Sequence, residues 1–184
     1  MEKVSINKTI NLSEHFTLGE VTKSKHAEVY NIPSHVAIEN LKRVCEWLEE
    51  LRRRYNLRYV SGSVSPPELG GDRGGLRSVP PPKLGGEIDT EEPIIITSGY
   101  RSPELNKKVG GSPTSNHLTG CAVDIRVASI EQAMRYAVIL MDYADETKQD
   151  YDELLIERNK SGGYWLHFAV RPKDNRRKLC FMAV

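Results

Sequence analysis

Three side chains spread over fifty positions carry the strongest chemical signal in this chain. They are His117 and Asp124, within Ser115-Asn-His-Leu-Thr-Gly-Cys-Ala-Val-Asp124, and His167, within Tyr164-Trp-Leu-His167. Two imidazoles and one carboxylate are the donor set of an open catalytic zinc site, whose fourth position is left for a water that the metal acidifies. Hydrolysis is therefore the leading expectation. Taken singly, a histidine is more often a hydrogen-bonded core or surface group than a ligand. A carboxylate inside an apolar strand is harder to dismiss, because burying it unpaired is costly. Asp124 requires a cation, and the sequence offers a metal, Arg126 or Arg101. His15, His26 and His35 lie in polar contexts with no carboxylate at ligand-like spacing and are not read as ligands.

The elements that must position these groups are legible in outline. Residues 121–127 read as a strand with Ala122, Asp124 and Arg126 on one face and Val123, Ile125 and Val127 on the other. Gly120 lets the chain turn sharply, so that His117 and Asp124 can converge. His167 falls in a strand at 164–170, joined by the turn-rich Asn159-Lys-Ser-Gly-Gly163 to another at 153–157, and a last strand is expected at 178–184. Upstream, the β-branched run 93–97 leads into Ser98-Gly-Tyr-Arg-Ser-Pro103 and a short helix at 104–109. Ser34 is the expected N-cap of a helix whose apolar face is Val36, Leu41, Val44, Leu48, Leu51 and Tyr55. Ser129-x-x-Gln132 is a capping box for a second, with Ile130, Ala133, Met134, Ala137, Val138 and Met141 as its apolar face. Residues 1–33 read as an irregular arm with a short helix near 16–20. The expected architecture is α+β, an antiparallel sheet with helices packed on one side.

A chain of 184 residues fits one domain, 1–184, with room for a sizeable core. Residues 61–92, rich in Pro and Gly with aliphatic side chains scattered singly among them, read as a disordered insert within that domain. A net charge of +1 gives no reason to expect nucleic acid or an anionic membrane as partner. The apolar stretch Ala137-Val-Ile-Leu-Met141 is too short to span a bilayer, and a monomer is expected. The N-terminus lacks the apolar core of a signal peptide, which points to cytoplasmic synthesis. Cys45, Cys121 and Cys180 form no CxxC pair and are expected as reduced thiols filling core positions.

With these residues in place, the chain resembles the M15 metallopeptidases, the zinc D-Ala-D-Ala carboxypeptidases and peptidoglycan endopeptidases that include phage endolysins. Ser115-x-His117-x-x-Gly120-x-Ala122-x-Asp124 matches the first zinc signature of that family, Trp165-Leu-His167 the second, and Ser98-Gly-Tyr-Arg101-Ser the upstream segment of its short peptidase branch, subfamily A. The resemblance implies a hedgehog/DD-peptidase-like fold and one zinc ion held by His117, Asp124 and His167. It also implies an amide substrate in the peptide part of peptidoglycan, and an Arg101 that polarises or anchors the scissile carbonyl. Ser115 would orient His117 or bind substrate, and Trp165 would line the substrate site. A cell-wall enzyme without an export signal suggests release by lysis or a phage-associated role.

Several relatives carry an acid three residues before the last zinc histidine, where this chain has Tyr164. The nearest replacement is Glu157. If 153–157 and 164–170 form a hairpin that opposes Glu157 to Trp165, Glu157 shares the His167 face at a diagonal of about 7 Å and can act as general base. Glu153 has the same parity and is held in reserve. Two readings compete with the enzyme: a non-catalytic, zinc-stabilised cell-wall-binding module of the same fold, and an interaction protein built around the 61–92 insert.

Overall fold

Ser34 opens the longest helix by accepting the Ala37 N–H, and from there an amphipathic stripe runs for almost six turns. The computed structural model describes residues 7–60 and 91–183. Its helices are α1 (Leu18–Thr22), α2 (His35–Tyr55), α3 (Pro103–Lys108) and α4 (Ile130–Thr147). Its strands are β1 (Ile96–Ser98), β2 (Ala122–Arg126), β3 (Glu153–Arg158), β4 (Tyr164–Ala169) and β5 (Lys178–Ala183), in the sheet order β1-β2-β4-β3-β5. The class is α+β, as the alternation and helix periodicities predict.

The sheet is mixed and not wholly antiparallel, which corrects the expectation. β1/β2, β2/β4 and β3/β4 pair antiparallel, but β5 runs parallel to β3. The reason lies in which edges are free. β4 leaves the β3 hairpin already flanked by β2, so the returning chain takes the open edge of β3 instead. Because it reverses after β4, it runs in the direction of β3. The buried Asp152 fixes this crossing: it accepts from Arg176 Nε at 2.8 Å and from a terminal Arg176 nitrogen at 2.6 Å, and its own carbonyl accepts the Lys178 N–H.

One face of the sheet forms the core. Val123, Ile125, Leu154, Ile156, Leu166 and Phe168 are buried together with Leu41, Val44, Leu48 and Leu51 of α2. The Trp47 ring lies 5.5 Å from that of Phe168 and meets Tyr143 edge-on at 4.8 Å, joining α2, α4 and β4. The expected α2 face is buried apart from Val36 at its start, whereas the α4 face is turned: Ala133 and Ala137 are buried as expected, with Tyr136, Leu140 and Ala144, while Ile130, Met134 and Val138 face outward. The alanines let α4 lie close to the sheet, and Tyr136 turns toward α2 to meet Tyr55 edge-on at 4.8 Å. The arm before α2 is more ordered than expected. Thr17 and Glu20 make a reciprocal capping box for α1, and Leu12, Phe16, Leu18 and Val21 join the core. Cys45 and Cys121 are buried thiols as expected, whereas Cys180 on β5 is partly exposed. Among the described residues no helix is long and apolar enough to cross a membrane.

Of the expected insert, residues 61–90 lie outside the described residues. Its flanks are tied to each other. Asn56 accepts the Glu92 N–H at 2.7 Å and donates to the Glu92 carbonyl at 3.1 Å and the Arg52 carbonyl at 2.9 Å. Asn56 is buried, so losing these bonds strands polar groups out of water. Asn56→Ala is expected to lower unfolding free energy by about 1–3 kcal/mol in urea titrations. An unchanged midpoint would show that the flanks are held by other contacts.

Candidate metal centre and active site

The sheet face opposite the helices carries the polar groups, and strand register decides which of them meet. Asp124 of β2 is directly opposite His167 of β4, which is in turn opposite Leu155 of β3. Opposed residues share a face, so Asp124 and His167 point the same way. His117 arrives from a short 3₁₀ turn, Asn116–Thr119, that Ser115 caps by accepting the His117 N–H at 3.3 Å. That turn ends at Gly120, whose φ of 73° is left-handed. A Cβ there would stand 2.4 Å from the Ala37 carbonyl oxygen, so glycine is required both to reverse the chain and to seat the turn against α2.

The three side chains predicted from sequence therefore converge. One donor atom from each of His117, Asp124 and His167 lies within 4.8 Å of the others, and all three residues are buried. His117 Nε2 is 3.3 Å and His167 Nδ1 3.0 Å from the same oxygen, Asp124 Oδ1. A tetrahedral ion with bonds of about 2.0–2.1 Å has donors roughly 3.3 Å apart, so these separations are close to the edges of such a site. The ring orientations agree. His117 Nδ1 is 2.7 Å from the Gly99 carbonyl, while its Nε2 is buried with no hydrogen-bond partner. A backbone acceptor on one nitrogen and an orphaned, inward-facing second nitrogen is the arrangement of a metal-ligating histidine. The cluster could hold a metal ion.

Charge in this cluster is strongly perturbed. Burial lowers the His117 pKa against the pull of Asp124. Burial would raise Asp124, but the neighbouring His117 and His167 hold its carboxyl well below the usual range. Burial opposes charge on His167 too, yet Asp124 and Glu153 outweigh it and raise that ring to about 9. Of the two arginines offered as partners for Asp124, Arg101 is engaged. A terminal nitrogen reaches Asp124 Oδ2 at 2.6 Å and its Nε donates to Ser98 Oγ at 3.0 Å, while Arg126 is exposed. Arg101 and a metal are compatible, because the arginine occupies Oδ2 and the histidines converge on Oδ1.

A cleft of about 660 Å³ opens over the cluster, lined by Arg101, Ser115, His117, Asp124, Glu153, Glu157, Trp165 and His167. Glu157 opposes Trp165 in the β3/β4 hairpin, the register expected from sequence, and shares the His167 face. Burial raises its carboxyl above the ordinary value and Asp124 adds to this, while His167, the Trp165 N–H and Arg101 act the other way. Glu153 shares the face but differs in charge. His167 is the chief cause of its depression to about 2, with burial opposing and Arg176 and Asn116 assisting. Tyr164 sits on the opposite face of β4, packing against the core, and does not line the cleft. The loop 109–116 forms one wall, and Arg176 and Lys178 close the end near β5. Sequence reasoning singled out none of Asn116, Arg176 or Lys178. Asn116 adjoins His117 in sequence and could have been suspected, but nothing in the pattern around Arg176 announced its place. Cys121 is buried with its thiol pKa raised, which argues against a nucleophile. His15 is paired with Glu49, away from the cluster.

A sheet face holding an open His-Asp-His cluster, two acids of opposite pKa displacement and an arginine in one cleft has the layout of a hydrolase. The family model described as Peptidase M15 matches residues 85–149, and this supports the M15 peptidase family and a peptidase role. The match includes Arg101, Ser115, His117 and Asp124 and ends before β3 and β4. No curated protein matches the chain.

If the cluster takes a divalent ion, saturating zinc stabilises the fold by mass action. At a hundredfold excess over Kd the gain is about 2.7 kcal/mol, or roughly 5–11 °C in Tm for a chain of this size. His117→Ala is expected to abolish the shift in thermal melts. An equal shift in the variant would place the ion elsewhere.

Proposed function

We propose that this chain is a zinc-dependent peptidase that cleaves an amide bond in the peptide part of bacterial peptidoglycan, as a carboxypeptidase or an endopeptidase. The observation that carries the reading is the buried triad whose donors converge on Asp124 Oδ1, with the orphaned Nε2 of His117 among them. His117 Nε2, His167 Nδ1 and Asp124 would hold one zinc. Zinc bound there supplies Lewis acidity, polarising the scissile carbonyl and acidifying water. The hedgehog/DD-peptidase-like fold, the short subfamily A branch of M15 and an endolysin-like role in wall degradation belong to the same proposal, with residues 1–184 as one zinc peptidase domain acting as a monomer. Its support is the M15 match and the Ser98–Ser102 and Ser115–Asp124 motifs.

The chain's own groups divide the remaining work. Glu157 is the general base: its carboxylate takes a proton from the attacking water and later returns it to the leaving amine. A pKa raised by burial suits both steps, since the group must hold and release a proton near neutral pH. Arg101 offers its guanidinium to the carbonyl oxygen as negative charge develops there. It is kept in place by Ser98 Oγ and Asp124 Oδ2. Ser115 orients His117 through its backbone N–H, and Trp165 flanks the substrate beside Glu157. Tyr164, standing where several relatives carry an acid, is the feature that favours the non-catalytic module. Glu157 supplies a carboxylate in the cleft from a neighbouring strand, which favours the enzyme.

Digestion of purified muropeptides tests this. Turnover is expected to vanish on chelation or with His117→Ala. Glu157→Gln is expected to keep its zinc and lose about 10²–10⁴-fold in kcat. Unchanged turnover after chelation would end the zinc peptidase reading. Wall material bound but never cut would favour the module.

A further inference from the structure

The proposed chemistry employs Glu157 and leaves Glu153, the other acid on the His167 face, without a task. Glu153 opposes Ala169 across the hairpin, so it and Glu157 lie on opposite diagonals from His167. Its two oxygens are separately engaged. Oε2 accepts from Asn116 Nδ2 at 3.0 Å and lies 3.5 Å from His167 Nε2. Oε1 is 3.0 Å from Arg176 and 3.4 Å from Lys178. The two nitrogens of the His167 ring thus face different carboxylates, Nδ1 toward Asp124 Oδ1 and Nε2 toward Glu153.

We infer that Glu153 is a positioning residue that accepts the His167 Nε2–H and so presents Nδ1 to the metal. The inference rests on the zinc reading above and deepens it. A neutral imidazole carries one N–H, and whichever nitrogen finds the acceptor leaves the other free to bind a metal. His117 solves this with a backbone acceptor, the Gly99 carbonyl. His167 is in mid-strand with Asp124 and Leu155 as cross-strand neighbours, so its outer acceptor must be a side chain reaching diagonally from β3. Asn116 strengthens the arrangement. Its amide donates to both Asp152 and Glu153, so the residue preceding His117 also steadies the acid that orients His167. Both histidines are referred to one frame at the start of β3. Arg176 and Lys178, on the other oxygen, keep the carboxylate turned toward the ring and hinder it from swinging over to act on water.

Competition with a chromophoric chelator measures the zinc affinity of the wild type, Glu153→Ala, Glu153→Gln and His117→Ala. Removing an outer carboxylate partner of a ligating histidine costs about 10–100-fold in affinity, and Glu153→Ala is expected to fall in that range. Glu153→Gln keeps an acceptor oxygen at the same reach and is expected to recover most of it. A role in strand packing alone would show the same metal-free Tm change in both variants with no such recovery. Wild-type affinity in Glu153→Ala overturns the inference. So does a Glu153→Gln protein as weak for zinc as Glu153→Ala, since an acceptor oxygen at the same reach would then make no difference. If His117→Ala binds zinc like the wild type, the underlying zinc reading fails, whatever Glu153 does.

Discussion

A carboxylate buried in the middle of a sheet is the constraint around which this molecule is arranged. Asp124 is 8% exposed and sits on the second strand of five, where an unpaired negative charge would be strongly unfavourable. The groups that close on it come from different parts of the chain: Arg101, which pairs with it, from the turn after β1, His117 from the 3₁₀ turn before β2, and His167 from β4. Each needs its own support. Arg101 is held by Ser98, His117 by the Gly99 carbonyl and Ser115, His167 by cross-strand register. A change that loosens any of these exposes the same charge to an incomplete set of partners, so stability and site geometry are coupled at one atom pair.

The sheet's two faces divide the labour. Val123 and Ile125 face α2 and α4 while Asp124 between them faces the cleft, so one strand anchors the core and the chemistry at once. The same alternation in the β3/β4 hairpin sends Leu154, Ile156, Leu166 and Phe168 inward and Glu153, Glu157, Trp165 and His167 outward. Rigid pairing on one side thereby fixes side-chain direction on the other, without which donors from separate segments could not hold separations near 3 Å. A one-residue slip of β3 would bury both glutamates in the apolar layer.

How much of this was legible in the sequence follows from the range of the interactions involved. The alternation around Asp124, the Ser34 and Ser129 caps and the 157/165 register are set by neighbours or by a tight hairpin, and they read correctly. The convergence of His117, Asp124 and His167 was readable because residue types and motif spacing stand in for distance. Edge choice was not. Nothing in residues 178–183 says that their partner will be β3 in parallel, since this depends on which edge remains after β2 has taken β4. The face that α4 buries is hidden in the sequence for a similar reason. Its periodicity admits two overlapping apolar stripes, and only contact with α2 through Tyr136 and Tyr143 selects the alanine-lined one. The Asp152–Arg176–Glu153 contacts join the start of β3 and the residue before it to the loop that leads into β5, and no local pattern encodes them.

X-ray absorption at the zinc edge of the loaded protein tests the central claim most directly, because it counts donors by type and distance. Ligation by His117, Asp124 and His167 requires a low-coordinate shell of nitrogen and oxygen at about 2.0–2.2 Å, with outer-shell scattering from two imidazole rings that drops to one in His167→Ala. A sulfur shell near 2.3 Å, or a shell of oxygens without imidazole scattering, would contradict it.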